Sequence, residues 1–315
     1  MKIVILDAKT LGEDLDLSAA ERFGEVCIYP NSTESEVAQR VTDADVVIIN
    51  KIKMNEKVLK NAKNLKLICV AATGFDNIDT EYCKEKGIHV ANVPAYSTNS
   101  VAQVTVSMAC SLMTHLEEYH GFVKSGEYMT SDSANRLVPV YREMNGLTWG
   151  IVGYGNIGRA VGRIAEAFGC RVIVNKRTKI DGVECVDLDT LMRESDIISV
   201  NCPLNDSTRG MIGKSELSLM KKSAIIINVA RGGVWDEKEV ADAVLEGRIG
   251  GVGCDVFTAE PFRVGHPFEK IKDLDNVILT PHMAWGSFES RTRCFGVIIS
   301  NIEEFFSGNG QNLVV

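Results

Sequence analysis

Three things are missing from this sequence, and each absence narrows what it can be. No CxxC pair occurs, and the nine cysteines, Cys27 through Cys294, are scattered, several of them inside apolar runs. Such spacing fits neither a metal site nor a disulfide framework, so buried, reduced thiols and no metal are expected. No apolar run approaches the roughly 20 residues of a membrane span, and no stretch of signal-peptide length opens the chain. A soluble, cytoplasmic protein is the expectation. A basic excess is also lacking: 34 Lys and Arg stand against 42 Asp and Glu, a net charge of −8. Neither nucleic acid nor an anionic membrane is therefore an expected partner. An anionic small molecule must be held by a local cluster of donors.

What is present is a beat. A chain of 315 residues exceeds what one core usually serves, so two domains are expected. Short β-branched runs begin at residues 3, 26, 46, 67 and 88, with polar, helix-capable stretches between them at 34–40, 55–60 and 80–86. Strands alternating with short helices read as βα units on a parallel sheet, covered on both faces and hence lacking a polar side. From residue 100 to about 119 the pattern changes to one long apolar helix without Gly or Pro, followed by an extended excursion over 124–145. A helix and arm of that kind suggest burial against a second copy of the chain, a homodimer, with intramolecular burial as the alternative.

A second βα series starts at Trp149, with an amphipathic helix over 157–168 and strands at 172–174, 197–200, 224–228, 251–254 and 277–279. A final helix covers 287–306. The division this implies is a substrate domain of residues 1–99 plus 284–315 and a dinucleotide-binding domain of 100–283, with the dimerisation helix and arm at about 100–145. The expected fold is α/β: two doubly wound parallel-sheet domains, a Rossmann domain inserted into a flavodoxin-like one, with crossings near 99 and 284 as a hinge.

The strongest local motif is Gly153-Tyr154-Gly155-Asn156-Ile157-Gly158. A lone GxGxxG is weak, but this one follows an apolar strand and opens an amphipathic helix. Gly153 permits the tight turn, Gly155 lets backbone approach a pyrophosphate, and Gly158 lets helix and strand pack closely. Free N–H groups at the helix N-terminus, including those of Asn156 and Ile157, then hold the anion without any overall basic charge.

Three later strands end in chemistry. One runs into Asn228-Val229-Ala230-Arg231-Gly232-Gly233, the next into Asp255 and on through Thr258-Ala259-Glu260-Pro261, and the third into Thr280-Pro281-His282. Any one of these side chains alone would read as a solvated strand end. Arg, Glu and His at three successive ends, on the edge where parallel sheets bind ligands, read as a site.

With these motifs the chain resembles the D-isomer-specific 2-hydroxyacid dehydrogenases over essentially its full length, with a flavour of the glycerate dehydrogenase (hydroxypyruvate reductase) branch in His282-Met283-Ala284-Trp285. The resemblance implies a catalytic arginine, glutamate and histidine at Arg231, Glu260 and His282, acting with a nicotinamide cofactor on a small 2-keto or 2-hydroxy acid. His282 as imidazolium would give a proton to the keto oxygen. Glu260 would hold the far ring nitrogen and favour the charged ring. Arg231 would grip the carboxylate with its planar fork of donors. The resemblance also puts Asp255 opposite the nicotinamide carboxamide, and Val229, Ala230, Cys202, Pro203 and Thr208 along the cofactor. The Ala72-Thr73-Gly74 turn resembles the family's backbone-amide loop for the substrate carboxylate, and Lys51, just past its strand, would add a positive charge, with a solvated lysine as the alternative. Trp285 would shape a pocket for two- and three-carbon acids.

The chain departs from the usual pattern at Val234-Trp235, and again after the second strand of the nucleotide domain. There, Asn175-Lys176-Arg177-Thr178 places Lys176 where NAD-dependent members carry an acid for the ribose 2′-hydroxyl. Cationic donors at that point suit a 2′-phosphate, so NADP(H) is expected to be favoured, with NAD(H) the alternative. Two function classes stand at this stage: a reductase of hydroxypyruvate, glyoxylate or a related acid, and an NAD(H)-sensing binding protein of the corepressor type on the same fold. The absence of long tails or added interaction segments favours the enzyme.

Overall fold

The computed structural model describes all 315 residues, which divide into two compact units, Met1–Ser97 with Gly286–Val315, and Thr98–Trp285.

In the first unit the order is β1 (Lys2–Ile5), β2 (Glu25–Ile28), α1 (Glu34–Arg40), β3 (Val46–Ile49), α2 (Glu56–Leu59), β4 (Leu67–Val70), α3 (Thr80–Lys86) and β5 (His89–Ala91). All pairings are parallel, in the sheet order β2-β1-β3-β4-β5. This is the flavodoxin-like order. Strands β3 and β4, both internal to the sheet, are buried along their whole length, in keeping with their unbroken VVII and LICV sequences. Helix α1 begins with a capping box between Thr33 and Glu36, and α3 with the Asp79 carboxylate accepting from the Tyr82 N–H. No helix joins β1 to β2; two 3₁₀ turns, Ala8–Leu11 and Ser18–Phe23, make that connection.

In the second unit the expected single helix over 100–119 is two. α4 (Thr98–Thr114) ends at His115, which adopts a left-handed φ of 52°, and α5 (Leu116–Lys124) starts afresh. Histidine is among the residues that tolerate that region, so the break needs neither Gly nor Pro. The apolar character of α4 is also accounted for within its own unit: Val101, Ala102, Met108, Ala109 and Leu112 are buried in a core shared with Trp149, Ile151, Ala160 and Val161. The apolar side chains left exposed lie further on, at Met129, Leu137, Val138 and Val140.

Next come β6 (Thr148–Val152), α6 (Asn156–Ala167), β7 (Arg171–Asn175), α7 (Leu188–Glu194), β8 (Ile197–Val200), α8 (Lys214–Leu219), β9 (Ile225–Asn228), α9 (Glu237–Leu245), β10 (Gly251–Cys254) and β11 (Val277–Leu279). They form a parallel six-stranded sheet, β11-β10-β9-β8-β6-β7, whose order reverses direction at β6. The two expected parallel sheets are thus present. Trp149 lies fully buried in β6, and its indole N–H donates to Ser199 Oγ at 3.0 Å, so the ring fills volume without an unpaired donor. Truncating such a side chain to Ala costs about 3–5 kcal/mol. The chain returns to the first unit for α10 (Phe288–Phe306), capped by Ser287 accepting from the Ser290 N–H. All nine cysteines are free, and no helix is long and apolar enough to cross a membrane.

Candidate active site

Strands β11, β10 and β9 are neighbours, and the three sequence-singled residues follow their carboxyl ends. The backbone there is held by side chains that composition alone does not reveal. Asn228, fully buried, accepts the Ala230 N–H at 2.9 Å and donates to the Arg231 carbonyl at 3.0 Å, closing the turn that presents Arg231. The signal for it was only an amide ending the apolar run IIIN. At the next strand end, Glu260 Oε1 accepts the Phe257 N–H at 3.0 Å and Oε2 lies 2.6 Å from Nδ1 of His282. The carboxylate is thereby pinned between its own loop and the imidazole of the neighbouring turn.

His282 sits at a left-handed φ of 52°. Asp255 holds it there. The Asp255 carbonyl accepts the His282 N–H at 2.8 Å, while its carboxylate accepts the Thr280 hydroxyl at 2.5 Å and the Met283 and Ala284 N–H groups at 2.9 Å each. Asp255 is only 1% exposed, and burial pushes its carboxyl up from the ordinary 3.8, against the pull of those three bonds and of His282. Expected to face a nicotinamide carboxamide, Asp255 has both oxygens engaged in shaping the histidine turn. Trp285, expected beside the substrate, is half-buried and packs against the core that contains α4 and β6.

The glycine loop fits a dinucleotide. A Cβ on Gly153 (φ 91°) would stand 2.6 Å from the Cys202 nitrogen, and one on Gly158 would stand 2.3 Å from the Gly153 carbonyl oxygen, so both positions exclude a side chain. A Cβ on Gly155 would meet nothing within 4 Å, which leaves the N-terminus of α6 open on that side. No side chain caps that helix; the Arg159 N–H donates to Gly155, and the amides before it remain for an anion. Both amide atoms of Asn201, buried just after β8 beside this loop, lack a partner within the protein. Sequence reading passed over that residue.

The other residues expected along the cofactor divide in two. Asn175 donates to the Val186 carbonyl and Thr208 Oγ1 to the Pro203 carbonyl, so these side chains brace their own loops. Lys176, Arg177 and Thr178 are exposed just past β7, whereas Val229 and Cys202 are buried. Burial raises the Cys202 thiol to about 11, which keeps it protonated and inert at neutral pH. In the first unit, the Lys51 N–H donates to the Asp7 carboxylate at 2.7 Å, and the Thr73 hydroxyl donates to the Val93 carbonyl at 2.8 Å, fixing the turn that contains Gly74.

The chain is similar to known proteins over its full length. The family profile "D-isomer specific 2-hydroxyacid dehydrogenase, NAD binding domain" matches residues 106–284. The chain is 35% identical to a hydroxypyruvate reductase of Blautia hydrogenotrophica, over 100% of this chain and 99% of that one. Among solved structures, it is similar to a D-lactate dehydrogenase of Aquifex aeolicus complexed with NAD and lactic acid (31% identity, 98% and 96% coverage, TM-score 0.85). It is also similar to an acyclic imino acid reductase in complex with NADPH and D-Arg (29% identity, full coverage of both chains, TM-score 0.89). The chain belongs to the D-isomer-specific 2-hydroxyacid dehydrogenase family.

Proposed function

We propose that the protein reduces a small 2-keto acid, hydroxypyruvate or glyoxylate, to the D-2-hydroxy acid with a nicotinamide cofactor. The observation that carries this reading is the Glu260–His282 contact at 2.6 Å, one strand from the turn that presents Arg231. The similarity to a hydroxypyruvate reductase favours the enzyme over a sensing protein. In this reading the nicotinamide, when bound, supplies the hydride. The protein does the rest. Nδ1–H of His282 donates to Glu260, which orients the ring, and the Nε2 proton goes to the substrate oxygen. Arg231 binds the substrate carboxylate with paired, charge-assisted hydrogen bonds. Gly155, Asn156 and Ile157 take the pyrophosphate on their amides, with Val229, Ala230 and Asp255 along the nicotinamide.

The unit Thr98–Trp285 is the dinucleotide-binding part in this proposal. The first unit is the substrate part, contributing Lys51, Thr73 and Gly74, and Trp285 limits substrate size. Exposed Lys176, Arg177 and Thr178 would read the ribose, giving NADPH preference over NADH. The exposed apolar arm over 124–145 suits a homodimer, and nine free cysteines suit a reducing cytoplasm.

The test is kcat/KM for glyoxylate, hydroxypyruvate, pyruvate and phenylpyruvate, each with NADPH and NADH. The two small acids should lead. Lys176→Asp combined with Arg177→Ala should lower kcat/KM for NADPH about 10-fold or more, the loss of one or two charge-assisted bonds. Failure to turn over any 2-keto acid would refute the proposal, and an NADH preference unmoved by the double change would refute its cofactor part.

A further inference from the structure

Behind the loop that carries Glu260 lies a buried carboxylate that the proposed reaction does not use. Glu237 is the first residue of α9 and only 7% exposed. Its Oε1 accepts the Thr258 N–H at 2.8 Å, and its Oε2 accepts the Thr258 hydroxyl and lies 3.1 Å from Nε2 of His266. The tautomer of His266 follows from its other nitrogen: Nδ1 accepts the Phe268 N–H at 3.2 Å, which assigns the ring proton to Nε2 and makes that nitrogen a donor to Glu237. The ring itself is held by stacking on Phe262 at 4.7 Å and by edge contacts with Phe257 and Phe268.

We propose that Glu237, with Thr258 and His266, is a positioning latch for Glu260 and so for the His282 ring. The proposal rests on reading Glu260 and His282 as the proton-handling pair. The chain of contacts is short. Glu237 grips Thr258 by both its amide and its hydroxyl, and the preceding residue, Phe257, gives its N–H to Glu260 Oε1 at 3.0 Å. Glu260 then meets His282 at 2.6 Å. On the other side, Gly232 adjoins Arg231, and a Cβ there would stand 2.2 Å from the Phe257 carbonyl carbon and 2.3 Å from the Thr258 nitrogen. The same peptide that the latch holds therefore rests directly on the arginine turn. A buried carboxylate is a costly way to fill space, since an apolar group of equal volume carries no desolvation penalty. What it provides is direction: each donor to Glu237 lies on the segment 258–266 that flanks Glu260, and only one path of that segment satisfies them all.

The experiment is a double-mutant cycle in the full chain, with glyoxylate and NADPH, together with NADPH binding followed by fluorescence. Glu237→Gln should lower kcat about 10- to 100-fold, as expected for a misplaced reacting group, with the NADPH dissociation constant changed less than about twofold. Thr258→Ser, which keeps the hydroxyl, should stay near wild type. In a Glu260→Gln background, Glu237→Gln should cost nothing further, because the group it positions is gone. A purely structural role predicts the opposite: equal losses in both backgrounds, or unchanged kcat with lowered stability, and either result overturns the proposal. If Glu237→Gln does not fold, Thr258→Val carries the same cycle. His282→Ala is assayed alongside. Wild-type turnover there would sink the functional reading itself, whereas its loss with an additive Glu237 effect would sink only the latch.

Discussion

Each of the two sheets has a buried aspartate just past a strand's carboxyl end, and each aspartate holds a turn that presents a basic side chain. In the first unit Asp7 accepts the N–H groups of Asn50 and Lys51. In the second, Asp255 accepts one hydroxyl and two amides from the turn of His282, whose ring is gripped again by Glu260. The first arrangement fixes the backbone that carries Lys51. The second fixes backbone and ring together. A point charge steering a carboxylate tolerates slack, but a proton donor does not, because transfer needs the donor within hydrogen-bond reach of one atom.

The comparison breaks most visibly if the two basic residues prove interchangeable in effect. His282→Ala should lower kcat by about 10²–10⁴, the usual share of general acid catalysis. Lys51→Met should act mainly on KM, raising it about 10-fold, as loss of one charge-assisted contact implies. Steady-state kinetics with hydroxypyruvate separates the two, and a kcat loss at Lys51 as large as that at His282 would erase the distinction.

A smaller effect sharpens it. Asp7→Asn and Asp255→Asn each set an amide against backbone donors, and each should cost about 1–3 kcal/mol in denaturant unfolding. Only Asp255→Asn should also depress kcat, about 10-fold, through the histidine turn. Equal kcat in the two variants would mean that the turn does not need its aspartate for alignment.

The smallest effect is one of pH. Burial raises both carboxyls above 3.8 in the folded protein, so between that value and their raised ones the native state holds more protons than the unfolded chain. Stability from these two groups is then present at low pH and lost as pH rises through the window. An asparagine mimics the neutral acid and does not pass through that change. The stability gap between wild type and Asp7→Asn should therefore narrow from about pH 4 toward neutrality. A gap that widens would reverse the sign assigned to burial.

Much of this was legible from the sequence, for physical reasons. Unbroken short runs such as VVII and LICV, regularly spaced with helix-capable stretches between them, read as strands covered on both faces, and a GxGxxG between strand and helix leaves few alternatives. The ends of β9, β10 and β11 could be seen to carry Arg231, Glu260 and His282 because parallel sheets collect their chemistry on one edge. What stayed hidden was pairing between residues far apart in the chain. Nothing in the string links Glu237 to His266, 29 positions on, or shows that both oxygens of Asp255 close on residues 280–284. The break at His115 was equally silent, since no Gly or Pro marks it. Asn228 and Asn201 both follow apolar runs in the sequence, and only the fold shows that the side-chain amide of the first is bonded at both ends and that of the second at neither.

The left-handed backbone of His282 bears on how this position should be probed. A β-branched replacement would add the strain of that conformation, about 1–2 kcal/mol, to the loss of the imidazole, so two injuries would be read as one. Asparagine accepts the same backbone region almost freely. Among polar replacements it comes nearest to removing the proton donor alone, and a library scanned at residue 282 will rank side chains by their fit to the left-handed region as well as by their chemistry.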